Sequence, residues 1–332
     1  MTTETRSILG IDIGGTAIKI GLVRASGEIV ADLQMPTPVE QSQEEAVRIL
    51  GRSLRDFLAG RDIAAAGAGC AGLVSGHAGV VHVSPNLPTW KDAPLGPLLQ
   101  QELKRPVFVL NDANAFALAE ARAGAGRGCS PVAAITLGTG VGGAVVIDGR
   151  LADGFHGFGG EIGHMSLAWD GPQCPCGNRG CLELYVGRRG LVSAYLAHAR
   201  ESGSETTGLS RASESESRDP EALEPRTLAE AAGAGDPVAR GVFERAGEIL
   251  GVALANLSNL IDPEIFVIGG GVAQAGDLLF EPARQSLAAR AMMGAVRVAP
   301  LVPAALGVRA GLLGAAFHAL DQVQRASREG HR

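Results

Sequence analysis

Long hydrophobic runs are missing from this chain. No apolar stretch reaches the roughly 20 residues that a membrane-spanning helix needs, and no early segment has the layout of a signal peptide. These absences point to the cytoplasm. Long basic runs are missing too, and the formal net charge is -6, so nucleic acid and anionic membrane are poor default partners. Cysteine is sparse at five residues, and in a reducing compartment so few do not make a disulfide framework. Aromatic residues supply only 4% of the chain.

Glycine is the residue in excess, at 47. That abundance suggests backbone that turns tightly or lies close to a ligand. A hydrophobic fraction of 46% is enough to fill real cores, and 332 residues are comfortable for two domains with a cleft between them.

Along the chain, residues 7–13, 17–24 and 28–34 read as strands, and 43–60 has helical spacing, with Ala46, Val47, Leu50, Leu54, Phe57 and Leu58 on one face. Small apolar residues at 63–74 read as a buried strand, 80–83 as a short one, and 107–110 as a strand entering a helix at 113–123. The plan then restarts. Residues 132–137 and 141–147 are strands around a Gly-Thr-Gly break, and Asp148-Gly149 is a hairpin turn. IDIGGTAIKIGLVRASGEIV and ITLGTGVGGAVVIDGRLADG thus share strand, Gly-Thr loop, strand and turn, a weak internal repeat that suggests two similar domains. Helices are expected near 182–199, 227–233, 237–260, 277–290 and 308–325, with strands at 264–268 and 296–300. Strands alternating with helices indicate an α/β fold. Residues 201–225, rich in Ser, Glu, Thr, Gly and Arg, read as a flexible insertion.

Five motifs carry chemistry. Asp12-Ile13-Gly14-Gly15-Thr16-Ala17-Ile18-Lys19 sets glycines between two strands, where backbone N–H groups can close on an anion and Thr16 and Lys19 add donors. Gly138-Thr139-Gly140-Val141-Gly142-Gly143 has the same character at the matching place, so the two loops together suggest a polyphosphate clamp. Either alone could be an ordinary hairpin. Gly270 and Gly271, between a strand and a helix, are a plain turn or bare backbone for an adenine ring. Asn111-Asp112-Ala113-Asn114 joins a strand to a helix. It is a helix cap, or it presents one carboxylate at a strand's C-terminal end as a general base. The most specific motif is His164 followed by Cys174, Cys176 and Cys181, a Cys₃His set that satisfies tetrahedral zinc and leaves no open protein position, so the metal is structural. Glu161 and Glu183 flank it and are available to bind hydroxyls, and a metal-bound His164 keeps one ring nitrogen to offer a sugar oxygen.

These residues resemble the ROK family of bacterial sugar kinases and repressors, which have the actin-like, hexokinase-like fold. The resemblance rests on DIGGTAIK, NDANAFALAE, TLGTGVGG, GGEIGH, CPCGNRGCLE and IDPEIFVIGGGV, and runs from Ile8 to about Leu320. It implies ATP and Mg²⁺ bound between two domains and phosphoryl transfer to a hexose, usually at its 6-hydroxyl. By the same resemblance Asp112 is the catalytic base, and Asn86, Asn111, Asp112, Glu161, His164 and Glu183 contact the sugar. His164, Cys174, Cys176 and Cys181 hold Zn²⁺, and Asp12 lies near Mg²⁺ and the γ-phosphate. The family's last helix returns to the N-terminal domain. That assigns 1–112 plus about 309–332 to a small domain, and 113–308, with a zinc loop at 164–181, to a large one. The 201–225 insertion is longer than the family needs. Family repressors carry a helix-turn-helix ahead of this part, and the first hairpin already begins at Ile8, so the expectation is a kinase rather than a sugar-sensing regulator. D-glucose is the expected substrate, N-acetylmannosamine or N-acetylglucosamine the alternatives, and a dimer or tetramer the expected assembly.

Overall fold

The computed structural model describes residues 7–201, 223–292, 294 and 297–329. The chain divides into two compact units, the first from Met1–Gly128, Ala144–Gly160 and Ala305–Arg332, the second from Cys129–Gly143 and Glu161–Ala304.

The first unit opens with β1 (Ser7–Ile13), β2 (Ala17–Val23), β3 (Ile29–Pro36), α1 (Gln43–Leu58) and β4 (Ile63–Cys70). Next come β5 (Leu73–Ser75), β6 (Val80–Val83), β7 (Lys91–Ala93), α2 (Leu95–Leu103), β8 (Val107–Asn111) and α3 (Asp112–Ala123). Its main sheet has the order β3-β2-β1-β4-β8, with β1, β4 and β8 parallel, and β5-β6-β7 form a small second sheet.

Two-residue alternation gives the main sheet two unlike faces. Leu9, Ile11 and Ile13 of β1 and Ala66, Ala68 and Cys70 of β4 point into one core with Leu50 and Leu54 of α1 and Leu95 and Leu99 of α2. The opposite face carries Gly10 and Gly67. A methyl group on Gly10 would sit 2.0 Å from the Leu312 carbonyl oxygen, and one on Gly67 would sit 1.8 Å from that of Ala315. The last helix, which spans Ala310–Glu329, therefore lies backbone against backbone on the sheet.

Helix α1 follows its expected face: Ala46, Val47, Leu50, Leu54 and Leu58 are buried, and the Ser42 hydroxyl caps its start by accepting from Glu45 N. Helix α2 and strand β7 were not expected: Pro94 offers α2 no capping side chain, and β7 is only three residues long. Inside α3, the Glu120 carboxylate is fully buried and accepts from the backbone N–H groups of Ala125 (2.9 Å), Ala305 (3.1 Å) and Leu306 (2.8 Å).

Strands β9 (Val132–Leu137), β10 (Val141–Ile147), β11 (Arg150–Leu151), β12 (Ile265–Gly269) and β13 (Leu301–Pro303) form a sheet of order β11-β10-β9-β12-β13. This order matches that of the first sheet strand for strand, so the weak sequence repeat is a repeated topology. The Asp148-Gly149 turn has φ of 50° and 72°, the pair of positive values that a two-residue hairpin of this kind requires. Helices α4 (Glu183–Val186), α5 (Arg188–Glu201), α6 (Pro225–Gly233), α7 (Pro237–Ile261) and α8 (Asp277–Arg290) belong to the second unit, and α9 is the final helix, Ala310–Glu329. Phe243, Leu250, Leu254, Phe266, Leu279 and Leu287 are central to the second unit's core.

Three expectations shift. The single strand expected at 63–74 ends at Cys70, and Gly72, at a φ of 111°, turns the chain into β5 of the small second sheet. The helix expected at 182–199 is broken at Gly187, whose extended backbone lets Arg188 N reach the carbonyl of Gly138 at 3.0 Å. The strand expected near 296–300 starts at Leu301 instead, because Pro300 has no N–H for a ladder and only its carbonyl pairs, with Phe266 N. Most of the 201–225 insertion lies outside the described residues. No helix among the described residues is long and apolar enough to cross a membrane.

Candidate active site

In the first unit, the register aligns Asp12 with Gly69 and Gly69 with Leu110. Asp12 and Asp112 therefore stand at the carboxyl ends of β1 and β8, two strand spacings or about 10 Å apart across the sheet. Ligands of parallel α/β sheets lie at this end.

The motif at 111–114 divides its labour. Asn111 is the cap of α3: its Oδ1 accepts from Ala113 N (2.8 Å) and Asn114 N (3.2 Å), and its Nδ2 donates to the Gly72 carbonyl (2.9 Å). Asp112 is the first helical residue, half-buried, and its Oδ1 accepts from Ala113 N at 2.9 Å. The capping alternative thus falls to Asn111, and the carboxylate next to it is held at the sheet's edge.

Asp12 faces Lys19 across β1 and β2, with Nζ 3.5 Å from Oδ2. Burial raises the Asp12 carboxyl above its ordinary value, and the Lys19 charge opposes the rise. The start of α9 closes on the same carboxylate: a methyl on Gly311 would sit 2.5 Å from Asp12 Cγ.

The first hairpin is tied internally by Gly14 N to Ala17 O (3.2 Å), and Thr37 holds it from outside, its hydroxyl donating to Gly14 O (2.6 Å) and its N–H to Thr16 O (3.0 Å). Thr16 is left exposed at the tip. Exposed Asn86 packs against Gly15, whose missing methyl would be 3.0 Å from Asn86 Cβ.

In the second unit, Gly138 N donates to Gly140 O at 2.9 Å and Thr139 is exposed. Gly142 is half-buried. Gly143 is buried beneath Ile162, 2.8 Å from where its methyl would be, and is a packing residue. Gly270 has φ of +91° and a methyl on it would strike Leu137 O at 2.2 Å, so it needs glycine both for conformation and for space. Gly271 opens instead onto a cavity of about 450 Å³, lined also by Glu224, Pro225, Arg226, Thr227, Glu230 and Gln274. This size suits a small-molecule site. Those six residues were not visible as site residues in the sequence, because they come from a helix start and a short turn that only the fold brings to Gly271.

The four sulfur and nitrogen donors of His164, Cys174, Cys176 and Cys181 lie within 4.8 Å of one another. Cys176 Sγ is 3.7 Å from Cys181 Sγ, and Cys174 Sγ is 3.9 Å from His164 Nδ1. A tetrahedron with metal–sulfur bonds of about 2.3 Å has edges of about 3.8 Å, so the set fits zinc. Cys174 N to Asn178 O (2.8 Å), Gly177 N to Cys174 O (3.0 Å) and Leu182 N to Met165 O (3.0 Å) hold the loop. Burial pushes the Cys181 thiol up to about 12, whereas a backbone N–H at Asn178 lowers Cys176. With Nδ1 turned to the sulfurs, His164 keeps Nε2 for another partner. Glu161 is exposed just ahead of His164, and half-buried Glu183 accepts from Val141 N at 3.0 Å through Oε2.

A family model described as the ROK family matches residues 8–322. The chain is 36% identical over 313 residues to a glucokinase of Thermotoga maritima, covering 93% of this chain and 96% of that one. Among solved structures it is similar to a ROK family glucokinase from Streptomyces griseus in complex with glucose and AMPPNP, at 36% identity and a TM-score of 0.79, over 95% of this chain and 99% of that one. It is also similar to a ROK hexokinase from Thermus thermophilus, at 34% identity and a TM-score of 0.80, over 96% and 99%.

Proposed function

The chain belongs to the ROK family, with the actin-like fold of its structural relatives, and from that premise we propose that it transfers the γ-phosphoryl group of ATP to the 6-hydroxyl of D-glucose. The observation that carries this reading is the pair of carboxylates at 12 and 112, set at one end of three parallel strands, with Asn111 taking over the helix cap. The glucokinases to which the chain is similar support the choice of sugar.

Phosphoryl transfer asks a protein for positioning and charge neutralisation rather than covalent chemistry. Asp112 accepts the proton of the sugar hydroxyl as its oxygen bonds to phosphorus, and ADP departs with the electrons of the broken bond. Backbone N–H groups at 15–16 and 139–140, with Thr16, Thr139 and Lys19, bind phosphate oxygens, and the cavity at Gly271 takes the base. Asn86, Glu161, His164 through Nε2–H, and Glu183 bind sugar hydroxyls, while Asn111 keeps Asp112 in place. Asp12 would hold magnesium brought with the nucleotide, and the ion would supply charge that neutralises the phosphates. Zinc on His164, Cys174, Cys176 and Cys181 supplies structural order to the loop that carries His164 and Glu183.

The test is coupled ADP release with glucose, mannose, fructose, N-acetylmannosamine and N-acetylglucosamine under identical ATP and magnesium. Glucose should give the highest kcat/KM. An N-acetylated sugar preferred by about tenfold, roughly 1.4 kcal/mol of transition-state preference, would replace glucose in the assignment.

A further inference from the structure

Glu183 lies two residues after Cys181 and begins α4. Its Oε2 accepts from Val141 N at 3.0 Å, at the end of the second Gly-Thr hairpin. A methyl on Gly140 would sit 2.2 Å from the same oxygen, so the hairpin is shaped to receive this carboxylate. The next residues continue the attachment: Arg188 N donates to Gly138 O at 3.0 Å, and Gly187 packs where a methyl would be 3.4 Å from Thr139 O. Oε1 of Glu183 has no hydrogen-bond partner among the described residues.

We propose that Glu183 is a positioning residue that couples the metal loop to the hairpin at 138–141, so that order in the metal site is felt as affinity for ATP. One carboxylate then serves two ligands, Oε1 toward a sugar hydroxyl and Oε2 through Val141 toward the phosphates. The proposal rests on the reading of that hairpin as a phosphate loop. Its physical basis is preorganisation. Glycine has more backbone freedom to lose than any other residue, and a glycine-containing loop fixed before ATP arrives leaves less entropy to be lost on binding.

The experiment is calorimetric titration of a non-hydrolysable ATP analogue, without sugar, into wild type, Glu183→Gln and Glu183→Ala, with glucose titrated separately. Glu183→Ala should weaken the analogue about tenfold or more. Glu183→Gln should stay within about threefold of wild type, because its amide oxygen accepts the same Val141 bond. Stripping the metal with a chelator should reproduce the loss seen in Glu183→Ala. Gly140→Ala displaces the carboxylate from the hairpin side. It should weaken glucose binding in the wild-type background and have little effect on it in the Glu183→Ala background. Melting temperature and metal content of each variant separate misfolding from loss of the brace. Analogue affinity unchanged in Glu183→Ala, with glucose affinity reduced, would overturn the coupling and leave Glu183 a sugar contact alone. Analogue affinity unchanged by metal removal would overturn the metal half. Absence of glucose turnover in wild type would sink the proposed function instead, and the nucleotide titration would still decide the coupling.

Discussion

Gly311→Ala sets stability and activity against each other. Residue 311 lies in the first turn of α9, and its φ is not positive. In a helix, alanine is favoured over glycine by up to about 1 kcal/mol. Judged by propensity alone, the variant is stabilised. The new methyl, however, would lie 2.5 Å from Asp12 Cγ and 2.6 and 2.8 Å from its oxygens, well inside contact distance. The obstruction is the end of a side chain, so the carboxylate rotates away and the helix stays. Folding stability should therefore change by less than about 1 kcal/mol in either direction. Asp12 moves by the order of 1 Å, and misplacement on that scale can lower catalysis about 10²-fold. Urea unfolding and kcat/KM for glucose measured on one preparation decide it. A companion variant, Gly314→Ala, puts its methyl 1.7 Å from the Ala115 carbonyl oxygen, a backbone atom that cannot swing aside, and should lose roughly 1–3 kcal/mol of stability. If Gly311→Ala keeps kcat/KM within twofold of wild type, the Asp12 carboxylate is not part of the chemistry.

Asp112→Asn should lower kcat about 10²–10⁴-fold with a smaller change in glucose affinity, as expected for loss of a general base; near-normal kcat would remove Asp112 from that role. Elemental analysis should find about one zinc per chain, and Cys176→Ser should lose the metal and raise the glucose KM; a metal-free, fully active preparation contradicts the site. Glu120→Ala strands the N–H groups of Ala125, Ala305 and Leu306 and should destabilise the protein by about 3 kcal/mol or more in urea titration. Burial lowers the His318 imidazole to about 4; Asp153 opposes this, and Arg325, Arg122 and His77 reinforce it. The unfolded chain then takes up a proton near pH 6.5 that the folded state refuses. Stability should fall between about pH 6.5 and pH 4, by up to roughly 3 kcal/mol, and His318→Leu should flatten that slope; an unchanged slope refutes it.

What could be read in the sequence was local. The apolar strand at 7–13, the helical face at 43–60 and the Asp148-Gly149 turn each have a pattern complete within a few residues. The Cys₃His set was legible for the same reason, since its spacing and donor types hold the whole signal. What escaped reading depends on partners far along the chain. Glu120 looks like any helical glutamate until Ala305 and Leu306 arrive 185 residues later. The bond from Val141 N to Glu183 spans 42 residues. Gly10, Gly67 and Gly314 carry no turn signal because they serve packing, and the helix break at Gly187 follows from Gly138, which no local propensity contains.

The placement of α9 sets the order in which the molecule can be built. The second unit is complete once residue 304 has been made, whereas the first, whose strands are synthesised earliest, waits for Ala305–Arg332. Until then β1 and β4 expose a face on which Gly10 and Gly67 offer no side chain to collapse upon and Ile8 and Ala65 lack the helix that covers them, and Glu120 has only part of its set of donors. The nascent chain thus begins one unit, finishes the other, and returns to seal the first with its last turns of helix. Translational arrest after residue 304 would leave an intact second unit attached to an unsealed sheet, a natural substrate for chaperones.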